Sequence, residues 1–112
     1  MSESLKKSED FKKVYDEKKS YANKYLVVYL KENGLNRNRL GISVSKKVGN
    51  SVVRHRLKRL VKESFRLNEE KFLDGYDIVV VLRNAAKDKS YKEIESALLH
   101  LGKIHKILKR QL

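Results

Sequence analysis

The sequence predicts a single α+β domain, because segments with helix and strand periodicities are interspersed along a chain of ordinary domain length. The chain has 112 residues, of which 40% are hydrophobic, enough for a modest core without disulfides. Three segments place apolar residues at the 3.6-residue spacing of an amphipathic helix, and three others show the alternation or the continuous apolar run of a strand. We expect residues 1–112 to form one domain, with the largely polar residues 1–7 disordered.

The first half of the chain predicts a short helix and two strands. Ser8 can cap a helix that runs to about Lys18 and carries one apolar side made of Phe11, Val14 and Tyr15. Residues 21–30 and residues 39–45 alternate with period two, so each segment predicts a strand. Because only a short polar connection joins the two strands, they pair most simply as a hairpin.

The two faces of this predicted hairpin differ in character. One face is aliphatic and consists of Leu26, Val28, Leu30, Leu40, Ile42 and Val44. The other mixes aromatic with small residues: Tyr25, Val27, Tyr29, Gly41, Ser43 and Ser45. Small polar residues make a poor core, so the second face suits a groove in which unpaired bases stack on aromatic rings for roughly 1 to 3 kcal/mol each. The alternative is that the tyrosines are half-buried at the sheet margin, and the stripe of the first helix is by default a core face.

The most basic stretch of the chain lies between residues 46 and 66. It contains eight Lys or Arg with one acid and one histidine among them: Lys46, Lys47, Arg54, Arg56, Lys58, Arg59, Lys62, Arg66, Glu63 and His55. After a turn at residues 49–50, Asn50 or Ser51 can cap a helix that continues to about Leu67. The helical period predicts its core face as Val53, Leu57, Leu60, Val61, Ser64 and Leu67.

The positive charge of this helix favours nucleic-acid binding over a merely solvated face. Solvated faces usually mix signs, with Glu placed to pair with Lys four residues later. Here cations follow one another at that spacing, which destabilises the helix unless phosphates neutralise them. The whole chain has 27 basic and 14 acidic residues, a formal charge of +13, so RNA, DNA or an anionic lipid is the expected partner. In the alternative interpretation the excess charge only increases solubility.

The second half of the chain predicts an interior strand and a last helix. Residues 68–75 form a polar loop, and residues 76–82 are apolar on both faces, as is typical of an interior strand. After a connection at residues 83–89, Ser90 caps a helix whose apolar positions extend from 94 to 108. The cations that suit the C-terminal end of its dipole are Lys106, Lys109 and Arg110.

The sequence predicts no active site in the protein itself. There is no cysteine for thiol chemistry or for a thiolate metal site. His100 and His105 lie roughly 140° apart around the predicted helix and so cannot share a metal, while Asp74 and Asp77 are typical turn residues. His55 suits a hydrogen-bonding role better than that of a general base. We expect no catalytic residue, no metal site, no membrane span and a cytoplasmic location.

Residues 43–66, SVSKKVGNSVVRHRLKRLVKESFR, resemble the signature of the bacterial ribonuclease P protein subunit. In that family an Arg-Asn-Arg element opens the basic helix after a Lys-Lys-x-Gly-(Asn/Lys) turn. Four more segments are similar to the family, namely SEDFKKVY, SYANKYLVVY, YDIVVVLR and SYKEIESALLHL, so the resemblance covers nearly the whole chain. It implies an α-β-β-β-α-β-α order around a central mixed sheet, similar to a ribosomal-protein domain, with the basic helix in a left-handed crossover between parallel strands.

The resemblance also implies a function. Ribonuclease P removes the 5′ leader of precursor tRNA, and its RNA subunit holds the catalytic Mg²⁺, so the protein alone would hold no cofactor. The protein would form a 1:1 complex with that RNA through Lys46, Lys47, Asn50, Arg54, His55, Arg56, Lys58, Arg59 and Lys62. The single-stranded leader of precursor tRNA would lie in a cleft lined by Phe11, Tyr15 and Tyr29. In the free protein, anions would occupy the basic helix.

This sequence departs from the family pattern at two of these positions. His55 stands where the Arg-Asn-Arg element has Asn, and an imidazole has a different reach and gains charge near pH 6.5. Tyr15 stands where Phe is common, which keeps the ring. Two other functions are considered: a general RNA-binding or ribosome-associated protein with no cleavage role, which would use the same basic residues, and an autonomous nuclease, which would need activity from the protein alone.

Overall fold

The structure, a computed structural model, describes residues 3–110 as five strands and three long helices. In chain order these are β1 (Glu3–Ser4), α1 (Ser8–Asp16), β2 (Ser20–Ala22), β3 (Leu26–Glu32), β4 (Arg39–Ser43), α2 (Ser51–Asn68), β5 (Tyr76–Leu82) and α3 (Tyr91–Ile104). Short 3₁₀ turns at Glu69–Lys71 and Asn84–Ala86 follow α2 and β5. Within residues 3–110, none of the helices has the length and apolar character needed to cross a bilayer.

The strands form one mixed sheet in the order β1-β4-β5-β3-β2. β5 pairs antiparallel with β3 and parallel with β4, with Val80 opposite both Val28 and Ile42. The predicted hairpin between β3 and β4 is therefore wrong, because β5 lies between them. Strand β5 has apolar side chains on both faces, and both faces are buried by other elements only in the centre of the sheet. The interior-strand prediction for residues 76–82 is confirmed.

The topology contains two parallel crossovers of opposite hand. Strands β1, β2, β4 and β5 run parallel to one another, and β3 runs against them. The connections from β1 to β2 and from β4 to β5 both advance in the same direction across the sheet. Because α1 and α2 pack on opposite faces, one of these crossovers must be left-handed, against the strong general preference for the right hand. The resemblance assigns the left hand to the α2 crossover.

The main core lies between the sheet and the helix pair α2 and α3. The predicted aliphatic face of the sheet is confirmed, since Leu26, Val28 and Leu30 are fully buried there and the apolar side chains of β4 join them. The opposite face was predicted to be unable to form a core, and this is wrong. There α1 buries Val14 completely against Val79 of β5 and beside Leu5, because β5 and the N-terminal segment supply apolar residues that the hairpin interpretation did not count.

Three expectations about the N-terminal half are corrected. Residues 3–7 are ordered: β1 pairs with β4 and Leu5 is buried, whereas residues 1–2 lie outside the described range. Ser8 is the first helical residue, and Lys7, which makes no side-chain cap, stands at the N-cap; the helix ends at Asp16. The predicted strand 21–30 is two strands, because the side chain of Asn23 accepts hydrogen bonds from the backbone of Tyr25 and Leu26 and turns the chain.

Three expectations about the C-terminal half are also corrected. Leu67 is 54% exposed and Phe65 takes its place in the core. The loop after α2 is not uniformly polar, because Phe72 is fully buried with its ring 4.9 Å from that of Phe65. The last helix ends at Ile104, so Lys106, Lys109 and Arg110 lie beyond it rather than in its last turn. Its predicted start is confirmed: the Ser90 side chain caps it in a reciprocal capping box with Glu93.

Candidate nucleic-acid interface

The turn before α2 is held rigidly against the helix that it introduces. Val48 is buried and its backbone N–H donates to the carbonyl of Ser45 at 3.1 Å. Gly49 lies so close to Val53 that a Cβ on it would fall 2.7 Å from the valine side chain. Asn50 caps the helix, as predicted, by accepting a hydrogen bond from the backbone of Val53 at 3.0 Å. This junction fixes where α2, which carries most of the cations, begins.

The residues predicted to bind RNA lie in the turn before α2 and on its first turns, and they are called here the basic surface: Lys46, Lys47, Asn50, Arg54, His55, Arg56, Lys58, Arg59 and Lys62. His55, Lys58, Arg59 and Lys62 are exposed on α2, and Lys46 and Lys47 are exposed in the turn. Within residues 3–110, none of the Lys or Arg of this surface is in an ion pair. The basic surface thus carries cations that the described part of the protein does not neutralise.

Three members of the basic surface already have partners in the fold. The guanidinium of Arg56 donates to the carbonyl of Lys89 at 2.8 Å, which ties α2 to the loop before α3. Arg54 donates to the carbonyl of Gly49 at 3.2 Å, and the side-chain oxygen of Asn50 serves as the helix cap. Both arginines are half-buried and keep other N–H donors. These residues combine a structural role with any role in binding.

The three predicted cleft residues come together on the opposite face of the sheet and are called here the aromatic cluster: Phe11, Tyr15 and Tyr29. The ring of Tyr15 meets that of Tyr29 edge-on at 4.8 Å, and Phe11 lies 6.5 Å from Tyr15. All three are half-buried. The Phe11 ring lies on Gly41, where a Cβ would approach it to 2.7 Å. Gly41 belongs to the face on which a groove was predicted, and there a phenyl ring of the protein itself covers it.

A groove at the β1 edge of the sheet brings part of the basic surface beside the N-terminal segment. This groove of about 180 Å³ is lined by the end of β1 and the two residues after it, by β4 and by α2, namely Ser4, Leu5, Lys6, Leu40, Ile42, Lys58 and Lys62. Lys58 and Lys62 belong to the basic surface, while Leu5 packs in the small core beneath the aromatic cluster. Tyr25 was predicted to share the face of Tyr29, but it packs toward the main core because the turn at Asn23 precedes it.

Two buried titratable groups have structural roles. Asp77, predicted as a turn residue, lies in β5 and accepts hydrogen bonds from Arg39 at 2.6 and 2.8 Å and from Asn33 at 3.0 Å. Burial alone raises the pKa of Asp77, but these hydrogen bonds outweigh it and hold the pKa below its usual value. Burial lowers the pKa of His105, whose Nε2–H donates to the carbonyl of Val28 at 2.7 Å in the neutral tautomer.

Sequence periodicity could not identify Asp77 and His105 as buried, because Asp and His are usually surface residues and their hydrogen-bond partners lie far away in the sequence. His100 lies apart from His105: its Nδ1 is 3.3 Å from the side-chain nitrogen of Asn23. In the part of the chain that the structure describes, no three His, Asp or Glu side chains are grouped so as to hold a metal ion.

The fold and these surfaces define a small basic α+β domain with a cation-rich helix on one face of a mixed sheet and an aromatic cluster on the other. The family model described as Ribonuclease P matches residues 1–106. The chain belongs to the ribonuclease P protein family. Members of this family are the protein component of an endoribonuclease that works in tRNA processing with an RNA subunit.

Individual relatives support this assignment. The chain is 62% identical to the ribonuclease P protein component of Lachnoclostridium phytofermentans over 108 residues, which cover 96% of this chain and 93% of the relative. The RNase P protein of Staphylococcus aureus superposes with a TM-score of 0.87 at 40% identity, covering 95% of this chain and 97% of the other. The RNase P protein of Thermotoga maritima superposes with a TM-score of 0.84 at 37% identity, covering 91% of this chain and 96% of the other.

Proposed function

We propose that this protein binds the RNA subunit of ribonuclease P and the 5′ leader of precursor tRNA, and so assists endonucleolytic removal of the leader. The observation that carries the proposal is the row of exposed cations on α2 without ion pairs in the described structure. A folded domain with that much unneutralised charge is stabilised by a polyanion, and RNA supplies phosphates along its whole length. Family membership makes the RNA subunit of ribonuclease P the expected polyanion.

The basic surface would contact the RNA subunit with one protein per RNA. Lys58, Arg59 and Lys62 project from a helix fixed at its start by the Asn50 cap, so their positions are set before RNA arrives. His55 lies among them, exposed, where its imidazole would offer a hydrogen bond in place of the family's Asn amide. In the absence of RNA, smaller anions would occupy the same positions, and sulfate would raise the free energy of unfolding.

The aromatic cluster would hold the single-stranded leader. Tyr15 and Tyr29 are half-buried, so each ring is fixed by packing while part of it stays accessible. Unpaired bases stack on such rings with little sequence preference. A leader that runs around the β1 edge would pass Lys6, Lys58 and Lys62, whose charges suit its phosphates.

The chemistry would be carried by the RNA subunit with its Mg²⁺, in the cytoplasm. Residues 3–110 present no grouping of metal ligands, and Asp77 and His105 are engaged in the core. The protein's part is then to bind, to orient the leader and to neutralise phosphate charge. No residue of this chain is assigned a catalytic role.

A cleavage assay at low Mg²⁺ tests the proposal. Precursor tRNA is incubated with the cognate RNA subunit, with and without the purified protein. We expect the protein to raise the cleavage rate, and the protein alone to leave the substrate intact. Equal rates with and without protein would refute the proposal, and cleavage by the protein alone would indicate an autonomous nuclease.

The second candidate function is general RNA binding, for example on the ribosome. The basic surface by itself would serve that function equally well, but the family assignment and the aromatic cluster favour the first candidate. Sequencing of the RNA that co-purifies with the protein separates the two. Enrichment of ribosomal RNA without the ribonuclease P RNA would favour the second.

A further inference from the structure

A second group of cations lies away from the basic surface, at the end of α3. It surrounds a pocket of about 580 Å³, called here the C-terminal pocket, lined by Glu70, Lys71, Lys103, Lys106, Leu108, Lys109 and Arg110. Five of these seven residues are basic and one is acidic. None of the five basic residues is in an ion pair within residues 3–110. We propose that the C-terminal pocket binds backbone phosphates of RNA at a contact separate from the basic surface.

The pocket is built by two segments that the fold locks together. The backbone N–H of Lys109 donates to the carbonyl of Lys71, and that of Leu73 donates to the carbonyl of Ile107, both at 2.7 Å. A bridge between Phe72 and Leu108 lies between these two hydrogen bonds. Cations far apart in sequence are thereby held around one concavity, with Leu108 among the residues that line it.

A glycine makes this arrangement possible. A Cβ on Gly102 would fall 3.0 Å from the side chain of Leu108 and 3.1 Å from that of Phe72, so both are packed directly on the helix backbone. Lys106 leaves the helix with a positive φ of 61°, which turns the chain back toward the 3₁₀ turn at Glu69–Lys71. An L residue adopts that conformation only at a cost in free energy, so the surrounding structure must hold it in place.

The ordinary explanation for cations here is the helix dipole, and it covers only part of the group. Lys103 lies in the last turn of α3 and Lys106 directly after its C-cap, so both are close enough to the negative end of the dipole for positive charge to be favourable. Lys71, Lys109 and Arg110 come from other segments and need another reason. The negative partial charge at this end of the helix is also reduced, because the carbonyls of Leu101, Gly102 and Lys103 accept hydrogen bonds from the residues that follow.

The acidic residues nearby make the pocket a distinct contact. Between the end of α2 and Lys109 the surface is lined by Glu69, Glu70 and Asp74 together with Arg66, and Arg66 is paired with Glu63. An RNA backbone that followed the basic surface along α2 would meet these carboxylates before it reached Lys109. We therefore infer two separate phosphate contacts rather than one continuous track.

This inference rests on the proposed function, and the test compares three double variants that each remove two positive charges. The variant Lys106→Ala/Lys109→Ala removes two cations of the C-terminal pocket, and Lys58→Ala/Arg59→Ala removes two of the basic surface. Lys87→Ala/Lys92→Ala removes the same charge at exposed positions outside both. Affinity for the cognate RNA subunit is measured against salt concentration, and circular dichroism melts establish that each variant is folded.

The C-terminal pair should reduce the slope of log affinity against log salt by roughly 1.4 to 1.8, as for two lost phosphate contacts, while the control pair leaves it near wild type. A slope unchanged in the C-terminal pair but reduced in the α2 pair would overturn the inference and leave the proposed function standing. Slopes unchanged in both would overturn both. Binding to vesicles containing phosphatidylserine that falls in the C-terminal pair, with RNA binding intact, would assign the pocket to lipid headgroups and also overturn the inference.

Discussion

Arg59→Ala should weaken RNA binding with no loss of stability, and this is the sharpest test of the basic surface. Five cations of that surface make no hydrogen bond or ion pair within residues 3–110: Lys46, Lys47, Lys58, Arg59 and Lys62. If each neutralises one phosphate at roughly 0.7 to 0.9 per contact, these five contribute roughly 3.5 to 4.5 to the log–log salt slope. Removal of Arg59 should reduce the slope by one such contact, about 0.7 to 0.9.

Arg56→Ala is the variant to compare with Arg59→Ala, because Arg56 also makes a hydrogen bond within the fold. Arg56 donates to the carbonyl of Lys89 from a half-buried position, so its loss should lower the slope and also the free energy of unfolding by about 1 kcal/mol. Arg59 has no such tie, and its variant should unfold at the wild-type urea concentration. The assay is filter binding of the RNA subunit over a salt series, paired with urea denaturation. A wild-type slope for Arg59→Ala, or equal stability losses in both variants, would refute this division of roles.

Three further predictions concern the aromatic cluster and the buried ionisable groups. Tyr29→Ala should weaken binding of precursor tRNA relative to mature tRNA in the holoenzyme, while Tyr29→Phe keeps the discrimination; an equal loss for both tRNAs would contradict the cleft. Asp77→Asn should lower the free energy of unfolding at pH 7 by about 3 kcal/mol, the low end for breaking a buried pair, since its guanidinium partner is 28% exposed. Because the folded pKa of Asp77 is depressed, wild-type stability from this pair is present above about pH 3.9 and is lost as pH falls through the folded pKa. The variant should lack that acid loss, and Asp74→Asn, at an exposed neighbour, should retain it. Burial lowers the folded pKa of His105, so wild-type stability should fall as pH drops below about 6.5, the ordinary histidine pKa. His105→Gln should flatten that part of a urea-midpoint profile, and an unchanged profile would place the titration elsewhere.

Sequence periodicity predicted the elements well and their arrangement less well. The central strand was recognisable because residues 76–82 are apolar on both faces, and the start of α3 because Ser90 and Glu93 make a capping box. The position of β5 between β3 and β4 could not be recognised, because strand pairing depends on contacts between segments that are distant in the sequence. Alternation within a strand shows which side chains share a face, but it does not show which strand pairs with it. The short connection between β3 and β4 favoured pairing these two strands with each other, which is wrong.

The site was predictable where it depended on local charge and hidden where it depended on long-range packing. The exposed cations of α2 follow from the helical period, because Lys58, Arg59, Lys62 and Arg66 lie outside its predicted core face and all four are exposed. Leu5 was missed because one apolar residue in a polar terminus gives no periodic signal, yet it is buried beneath α1. The carboxylate of Asp77 was missed for the same reason, since only the parallel pairing of β4 with β5 places Arg39 opposite it.

The placement of the two surfaces restricts how RNA can approach. The basic surface and the aromatic cluster lie on opposite faces of one sheet, so a single straight strand cannot contact both. On the proposed path, a leader stacked on Tyr15 and Tyr29 would pass the β1 edge to reach the helix, and the groove there is lined by Lys6, Lys58 and Lys62. The ordered N-terminal strand is what forms that edge. Removal of residues 1–5 should therefore impair leader binding more than binding of the RNA subunit, although it changes no residue of either surface. Equal effects on both would indicate that the two RNAs do not meet at this edge.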